Sequence, residues 1–329
     1  MSLIKNSALN FVGFIIPTIV AIPSLGLLAR ILGTEKFGLF TLVFAIVGYA
    51  SIFDAGLTRA VIREISIHRS NNDEQKKIIS TSMISIAVLG CLAAMLIYFF
   101  SPSISSLLKV SSINSKDANA ALQVLSLSIP FFLLNQIWLA YLEGYECFSS
   151  VNAQKIIGNC CIATFPAIFS YCSPTLTFAV WGLFWGRMVS LLVSLFFTRK
   201  MFFGSGFLFS YTVFIRLIKF GGWMTVSNIV SPLMVYFDRF IISNTLGANC
   251  VAYYSAPAEG VNRILNIPNS LARALFPKLS GVIAENDKIK LERLSYFIVL
   301  VSCIPIVVAG IVYAKYIMLF CTICTLSAK

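Results

Sequence analysis

Charge is scarce in this sequence. Only 12% of its 329 residues are Asp, Glu, Lys or Arg, against about 25% in a typical soluble domain, while 58% are hydrophobic. A water-soluble globule of this length is excluded, and the chain is an integral membrane protein. Histidine is nearly missing, with His68 alone, and there are 13 carboxylates. A membrane enzyme such as a polymerase or acyltransferase needs a base or nucleophile near one interface, commonly histidine or clustered carboxylates in a sizeable loop. No such loop is present, and no long polar stretch could fold outside the bilayer. A glycine-rich P-loop ending in Lys-Ser or Lys-Thr is also absent, so the chain does not hydrolyse ATP. No cofactor is implied.

The 9 cysteines sit mostly inside apolar runs, where a thiol behaves as a small hydrophobe. They read as packing rather than as a disulfide framework. Cys321 and Cys324 form a C-x-x-C pair, but no second pair or nearby histidine completes a ligand set, so no metal is expected.

What is abundant is apolar length. Runs of about 20 residues suffice to cross a hydrocarbon core about 30 Å thick as helices. They predict spans at 9–29, 37–57, 78–100, 120–142, 156–172, 175–197, 220–244, 250–270 and 295–314. The eighth is unusually polar, carrying Glu259, Asn262, Arg263 and Asn266. With the N-terminus in the cytoplasm, 16 of the 25 Lys and Arg residues fall in inside segments and 6 in outside ones, which fits the positive-inside rule. The formal charge of +12 is then a topology signal spread over loops, and nucleic acid is not implied. The basic stretch 59–77, which includes His68, reads as a solvated loop at anionic headgroups. The first span has an apolar part longer than a signal-peptide core and no small-x-small site before Arg30, so it reads as a retained helix.

The chain also repeats. A shift of 214 residues superposes Leu3-Ile4-Lys5 on Leu217-Ile218-Lys219, Leu32-Gly33 on Leu246-Gly247, and Arg59-Ala60 on Arg273-Ala274. Span 1 thus corresponds to span 7. Six spans separate the copies, an even number, so both run in the same direction. Parallel repeats of this kind build two-lobed secondary transporters with the cargo path between the lobes.

The stretch Leu28-Ala29-Arg30-Ile31-Leu32-Gly33-Thr34-Glu35-Lys36-Phe37-Gly38-Leu39-Phe40 resembles the end of helix 1 in the bacterial transporters that flip lipid-linked oligosaccharides. So do Phe53-Asp54-Ala55-Gly56-Leu57-Thr58-Arg59, Asp238-Arg239-Phe240-Ile241-Ile242, Leu246-Gly247 with Ala252-Tyr253-Tyr254, and Phe276-Pro277-Lys278-Leu279-Ser280. The family is similar to the Wzx-type O-antigen flippases, in one superfamily with the MATE multidrug exporters. The resemblance implies an all-α, two-lobed, MATE-like transporter of the bacterial inner membrane. Its cargo would be an undecaprenyl-diphosphate-linked sugar repeat unit carried to the periplasmic leaflet, with membrane lipids, O-antigen polymerase and the chain-length machinery as partners. Residues 1–200 would form a six-helix lobe, 201–219 a basic cytoplasmic linker, and 220–329 a partial second lobe of three helices. Nine spans fall short of the family's twelve or more, and the tail from Cys321 to Lys329 departs from its pattern. A truncated or frame-interrupted product is therefore expected, and an inactive fragment stays among the readings.

A lipid-linked diphosphate needs a wet, cationic cavity open sideways to the bilayer, and arginine suits it because it stays charged and presents forked donors. Arg187 lies about 18 Å along span 6, near the midplane. A charge there costs at least ~2.5 kcal/mol, which makes function the default reading, with a structural arginine as the alternative. Arg239 and Arg263 follow as anion-binding candidates. Asp238 and Arg239 are neighbours pointing about 100° apart, so each needs a partner elsewhere. Glu259 and Arg263 stand four apart, so an internal pair competes with a cavity role. Asp238 and Glu259 are the embedded carboxylates available for a gate or for ion coupling. Trp181 and Trp185 could stack on sugar rings, although aromatics at helical spacing more often pack. Gly182 and Gly186 form a small-xxx-small face for helix contact. A MATE-like exporter of drugs or cations is the rival cargo class; it calls for acidic and aromatic groups where this chain offers arginines.

Overall fold

The computed structural model describes residues 3–107, 114–205, 208–247 and 249–259, with isolated positions at 261, 307 and 310. Among the described residues the chain is helical, with no strand. Seven α-helices carry it: α1 Leu3–Ala50, α2 Leu57–Ile67, α3 Asn72–Leu107, α4 Ser115–Gly144, α5 Phe148–Cys172, α6 Leu176–Ser205 and α7 Tyr211–Leu246. A further helical stretch runs over 249–259. Five of these segments are long and apolar enough to cross a membrane, which makes the chain a multi-pass membrane protein. The span at 295–314 and most of 250–270 lie outside the described residues.

α1 holds two predicted spans, joined at Gly33, whose φ of 75° and ψ of 174° are not helical. That region of backbone space is open essentially to glycine alone. Gly247, which ends α7, has φ 88° and ψ 165°. The two glycines are the pair superposed by the 214-residue shift. The repeat therefore extends from residue identity to the same backbone break at the same helix end, as expected for two copies of one hairpin.

The stretch 59–77 is not a solvated loop. Residues 57–67 form α2, and Leu57, Ala60, Val61, Glu64 and Ile65 are its buried face. Their spacing of i, i+3, i+4, i+7 and i+8 is that of an amphipathic helix; the density of charges on the other face hid it. Asp54 opens α2 by accepting from the Thr58 backbone N–H at 3.1 Å and its hydroxyl at 2.8 Å. Residues 72–77 continue as the first turns of α3. α3 and α7 each have 36 residues, about 54 Å of helix at 1.5 Å per residue. Both are therefore longer than the roughly 30 Å of a hydrocarbon core.

Two apolar cores stack along the bundle. One surrounds the Gly33 end and includes Leu28, Phe40, Leu122, Leu183 and Val251; the other surrounds the α2 end and includes Leu57, Val61, Ile78, Trp138 and Leu217. α5 and α6 are in unusually close contact. A Cβ on Gly182 would stand 2.5 Å from the Phe165 carbonyl oxygen, and one on Gly186 2.9 Å from the Ile162 Cα. The two glycines are the helix-contact face expected of a small-xxx-small pair. A polar network joins α4, α5 and α6 beside them: the Gln154 amide donates to Ser190 Oγ at 2.8 Å and to Asn135 Oδ1 at 3.2 Å, and Ser194 Oγ donates to Asn135 Oδ1 at 2.6 Å. All four side chains are buried.

Candidate functional site

A cleft with about 100 Å³ of water-accessible space opens between both halves of α1, α5, α7 and the stretch 249–259. Its walls are mostly apolar, with Leu25, Leu28, Phe40, Phe44 and Ile162, and its polar groups are Thr41, Asn159, Arg239 and Glu259. A second hollow, lined by Gly26, Ala29 and Phe37, shares Leu25 and Glu259 with it. Because Gly33 and Gly247 end the elements around it, the cleft belongs to the end of the bundle opposite α2.

Arg239 is the cation of this cleft among the described residues. It is 1% exposed, and its Nη2 donates to Glu259 Oε1 at 2.8 Å. Its guanidinium lies 5.2 Å from the centre of the Tyr236 ring. Among the described residues its Nε and Nη1 have no hydrogen-bond partner. Asp238 turns the other way. One of its carboxylate oxygens accepts from the Arg239 backbone N–H at 2.8 Å and the other accepts from the Tyr254 hydroxyl. Glu259 thus pairs with a residue twenty positions earlier; Arg263 lies outside the described residues.

Arg187 occupies a different place. It is 4% exposed on α6, donates to Ser128 Oγ of α4 at 2.7 Å, and sits 5.2 Å from the Phe132 ring centre. It is held inside the first lobe and is not part of the cleft wall. Trp181 packs against the upper core and edge-on to Phe184, with ring centroids 5.4 Å apart. Trp185 is exposed, also edge-on to Phe184. Neither lines the cleft. Sequence reasoning passed over Thr41 and Asn159; a single amide on an otherwise apolar turn of span 5 was the available signal. Among the described residues no three His, Cys, Asp or Glu side chains converge as a metal site.

Among the described residues, the second copy of the repeated hairpin, α7 with 249–259, packs against the first-lobe helices with the cleft between them, which is the architecture of a two-lobed helical membrane protein with parallel repeats. Solved structures agree on the fold. A MATE-family multidrug transporter of the MOP superfamily in an outward-facing conformation superposes with a TM-score of 0.64 at 18% identity, over 98% of this chain and 75% of that one. The inward-facing structure of such a transporter gives 0.63 at 16%, over 98% and 72%. The chain belongs to the polysaccharide biosynthesis protein family, whose model matches residues 3–282. It is 49% identical over 318 residues to a Shigella flexneri protein named "Putative O-antigen transporter", covering 97% of this chain and 76% of that protein. It is 22% identical over 267 residues to the lipopolysaccharide biosynthesis protein WzxC of Escherichia coli K12, covering 80% of this chain and 52% of the relative.

Proposed function

We propose that the protein is a flippase of the bacterial inner membrane. It would carry an undecaprenyl-diphosphate-linked oligosaccharide, the O-antigen repeat unit, from the cytoplasmic to the periplasmic leaflet by alternating access of its two lobes. The observation that supports this reading is Arg239 in the cleft, with two donor nitrogens that have no partner among the described residues. A buried guanidinium with free donors is a strong receptor for a phosphate oxygen. The apolar walls suit a site open to lipid, where the polyprenyl tail stays while the head crosses. The family and the relative named as an O-antigen transporter point to the same cargo. Arg263, outside the described residues, would be a further anion-binding candidate. Arg187 would be a second cation, reached by the diphosphate only if α4 and α6 part around it. Trp181 and Trp185 would serve packing before sugar stacking. The polymerase and chain-length proteins would act on the product at the far face.

The excess of Lys and Arg in the segments on that side supports an N-terminus and an α2 end in the cytoplasm, with the Gly33 end and its cleft towards the periplasm. Residues 1–200 would be one lobe. The linker 201–219 holds the last turns of α6 and, from Tyr211, the first turns of α7. Asp238 and Glu259 are the carboxylates through which an ion gradient would act. A cationic drug finds little here, since the one acid in the cleft wall among the described residues is already paired with Arg239.

The test is complementation. The chain, and a version extended with the second-lobe helices of its Shigella relative, are expressed in a bacterium lacking its own O-unit flippase, and surface polysaccharide is scored. Rescue that Arg239→Ala abolishes, at unchanged membrane level, is expected. Rescue by neither chain across matched O-unit types would refute the cargo. Activity unchanged after both proton and sodium gradients are collapsed would refute the coupling role.

A further inference from the structure

We propose that Arg216 is the latch of a gate that closes the transport path at the α2 end, held by Glu64 of α2 and Glu74 of α3. Its role as a gate rests on the transport reading above; the contact itself does not. α7 begins nine or so residues before the predicted span, and there it presses onto the first lobe. Val213 and Leu217 are buried in the same core as Leu57, Val61 and Ile78. The Ser210 backbone N–H donates to Thr81 Oγ at 3.1 Å. Between them Arg216 reaches two acids, with Nε 3.1 Å from Glu64 Oε2 and Nη2 2.5 Å from Glu74 Oε1. Glu64 is 2% exposed and also takes Arg63 Nη1 at 2.9 Å, while His68 Nδ1 stands 3.7 Å away. Arg63 in turn lies 4.8 Å over the ring of Phe220 on α7.

One turn further along, the backbones themselves meet. Gly56 has φ 72°, and a Cβ on it would lie 2.0 Å from the Gly221 carbonyl oxygen. A Cβ on Gly221 would lie 2.9 Å from the Ala55 carbonyl oxygen. No cargo headgroup passes through such a contact, so the α2 end is shut while the cleft lies at the other end. At that end Thr34 and Asn249, next to the two glycine breaks, share an exposed hydrogen bond of 3.4 Å. The structure is therefore held by ion pairs and a glycine contact at the α2 end, and by apolar packing of Val251 and Ala252 with a neutral hydrogen bond at the other.

A latch must release as well as hold, and ion pairs do both. A dry pair is costly to break one-sidedly, because the buried partner is left without compensation. When the elements separate and both partners become wet, each regains its hydration, and a pair in water is worth little. Glu64 is such a group, dry only while α7 covers it. Arg63 and His68 stay on its own helix or its edge, so Arg216 is the member whose departure marks opening. A purely apolar clasp would expose its surface and resist opening. The glycine contact adds closeness without interlocking side chains.

The test reads the gate without cargo. In membranes from cells expressing the chain with its native cysteines replaced, Asn159→Cys places one thiol in the cleft. Its labelling by a membrane-impermeant charged maleimide is compared in right-side-out and inside-out vesicles. The parent should label from the Gly33 side and resist from the α2 side. Arg216→Ala should raise labelling from the α2 side by roughly fivefold or more, the population shift expected from losing one such contact. Arg216→Lys, which keeps the charge and loses the fork, should fall between. Unchanged labelling in Arg216→Ala overturns the latch. If that variant fails to reach the membrane, Glu74→Gln decides, since it removes one arm at an acid that is less buried than Glu64: a rise supports the latch and parent-like labelling overturns it. Loss of complementation with normal gating would refute the cargo reading and leave the latch standing.

Discussion

Gly182 sets how closely α5 and α6 approach, and an alanine there measures what that approach is worth. The added carbon would lie 2.5 Å from the Phe165 carbonyl oxygen, 2.6 Å from its carbonyl carbon and 2.7 Å from the Pro166 Cα. All three are backbone atoms, which cannot swing aside as a side-chain tip can. Ordinary contact requires the two helices to part by about 1 Å, a gap at which facing atoms lose a quarter to a half of their dispersion energy. Overpacking of this kind costs about 1–3 kcal/mol, and the double backbone contact puts Gly182→Ala near the top of that range. Gly186→Ala meets Ile162 Cα at 2.9 Å and should cost about half as much. Gly26→Ala meets nothing within 4 Å, and helix propensity favours it by up to about 1 kcal/mol. At roughly 2 °C per kcal/mol for a chain of this size, the expected melting shifts are a fall of about 6 °C, a fall of about 3 °C, and no fall. A green-fluorescent fusion, heated in detergent and scored by size-exclusion chromatography, orders the three. A Gly182→Ala chain that melts with the parent, or a Gly26→Ala chain that falls as far, would refute the reasoning.

Asp117 of α4 holds the start of α6, accepting from the Leu176 N–H at 2.8 Å and from the Thr177 N–H and hydroxyl at 3.0 and 2.5 Å. Asp117→Ala should cost about 1–2 kcal/mol, the worth of a strong cap, and Asp117→Asn less, by the same melting assay. Gln154→Leu leaves Asn135 and Ser190 short of partners in a dry site, at about 1–3 kcal/mol for each group; a melting point equal to the parent's would show that water replaces the amide there.

How much of the fold was legible in the sequence depends on which signal a residue sends. Apolar length located the crossings, because twenty apolar residues have few other fates in a bilayer. The 214-residue shift marked Gly33 and Gly247 as equivalent, and both prove to carry the same non-helical backbone. α2 was hidden because its polar face is dense with Arg59, Arg63 and Ser66, and because one of its buried positions is an acid. A stripe of Leu57, Ala60, Val61 and Ile65 with Glu64 in the middle reads as a charged loop until the partner Arg216 is seen, and Arg216 is more than 140 residues away.

The candidate site was legible in its residue types but not in their assignment. Rarity of charge in apolar runs singled out Arg187, Asp238, Arg239 and Glu259. Along a helix, however, a residue's depth follows from counting at 1.5 Å per step, while its direction changes by 100° at each step. Depth alone made Arg187 the foremost cation. Direction places it against Ser128 and Phe132 within the first lobe, and Arg239 against the cleft. The same rotation sends Asp238 to Tyr254 and its neighbour Arg239 to Glu259. Partners across helices cannot be counted out from spacing, since they depend on which lobe packs where. In a chain with so few charges the outcome is still instructive: each end of the inter-lobe contact carries one arginine of α7 facing acids on another segment, Arg216 at one end and Arg239 at the other. Only the first pairing joins α7 to the first lobe, so rocking one lobe on the other must break it, while the second, between α7 and 249–259, travels within its own lobe and keeps its cation at the cleft.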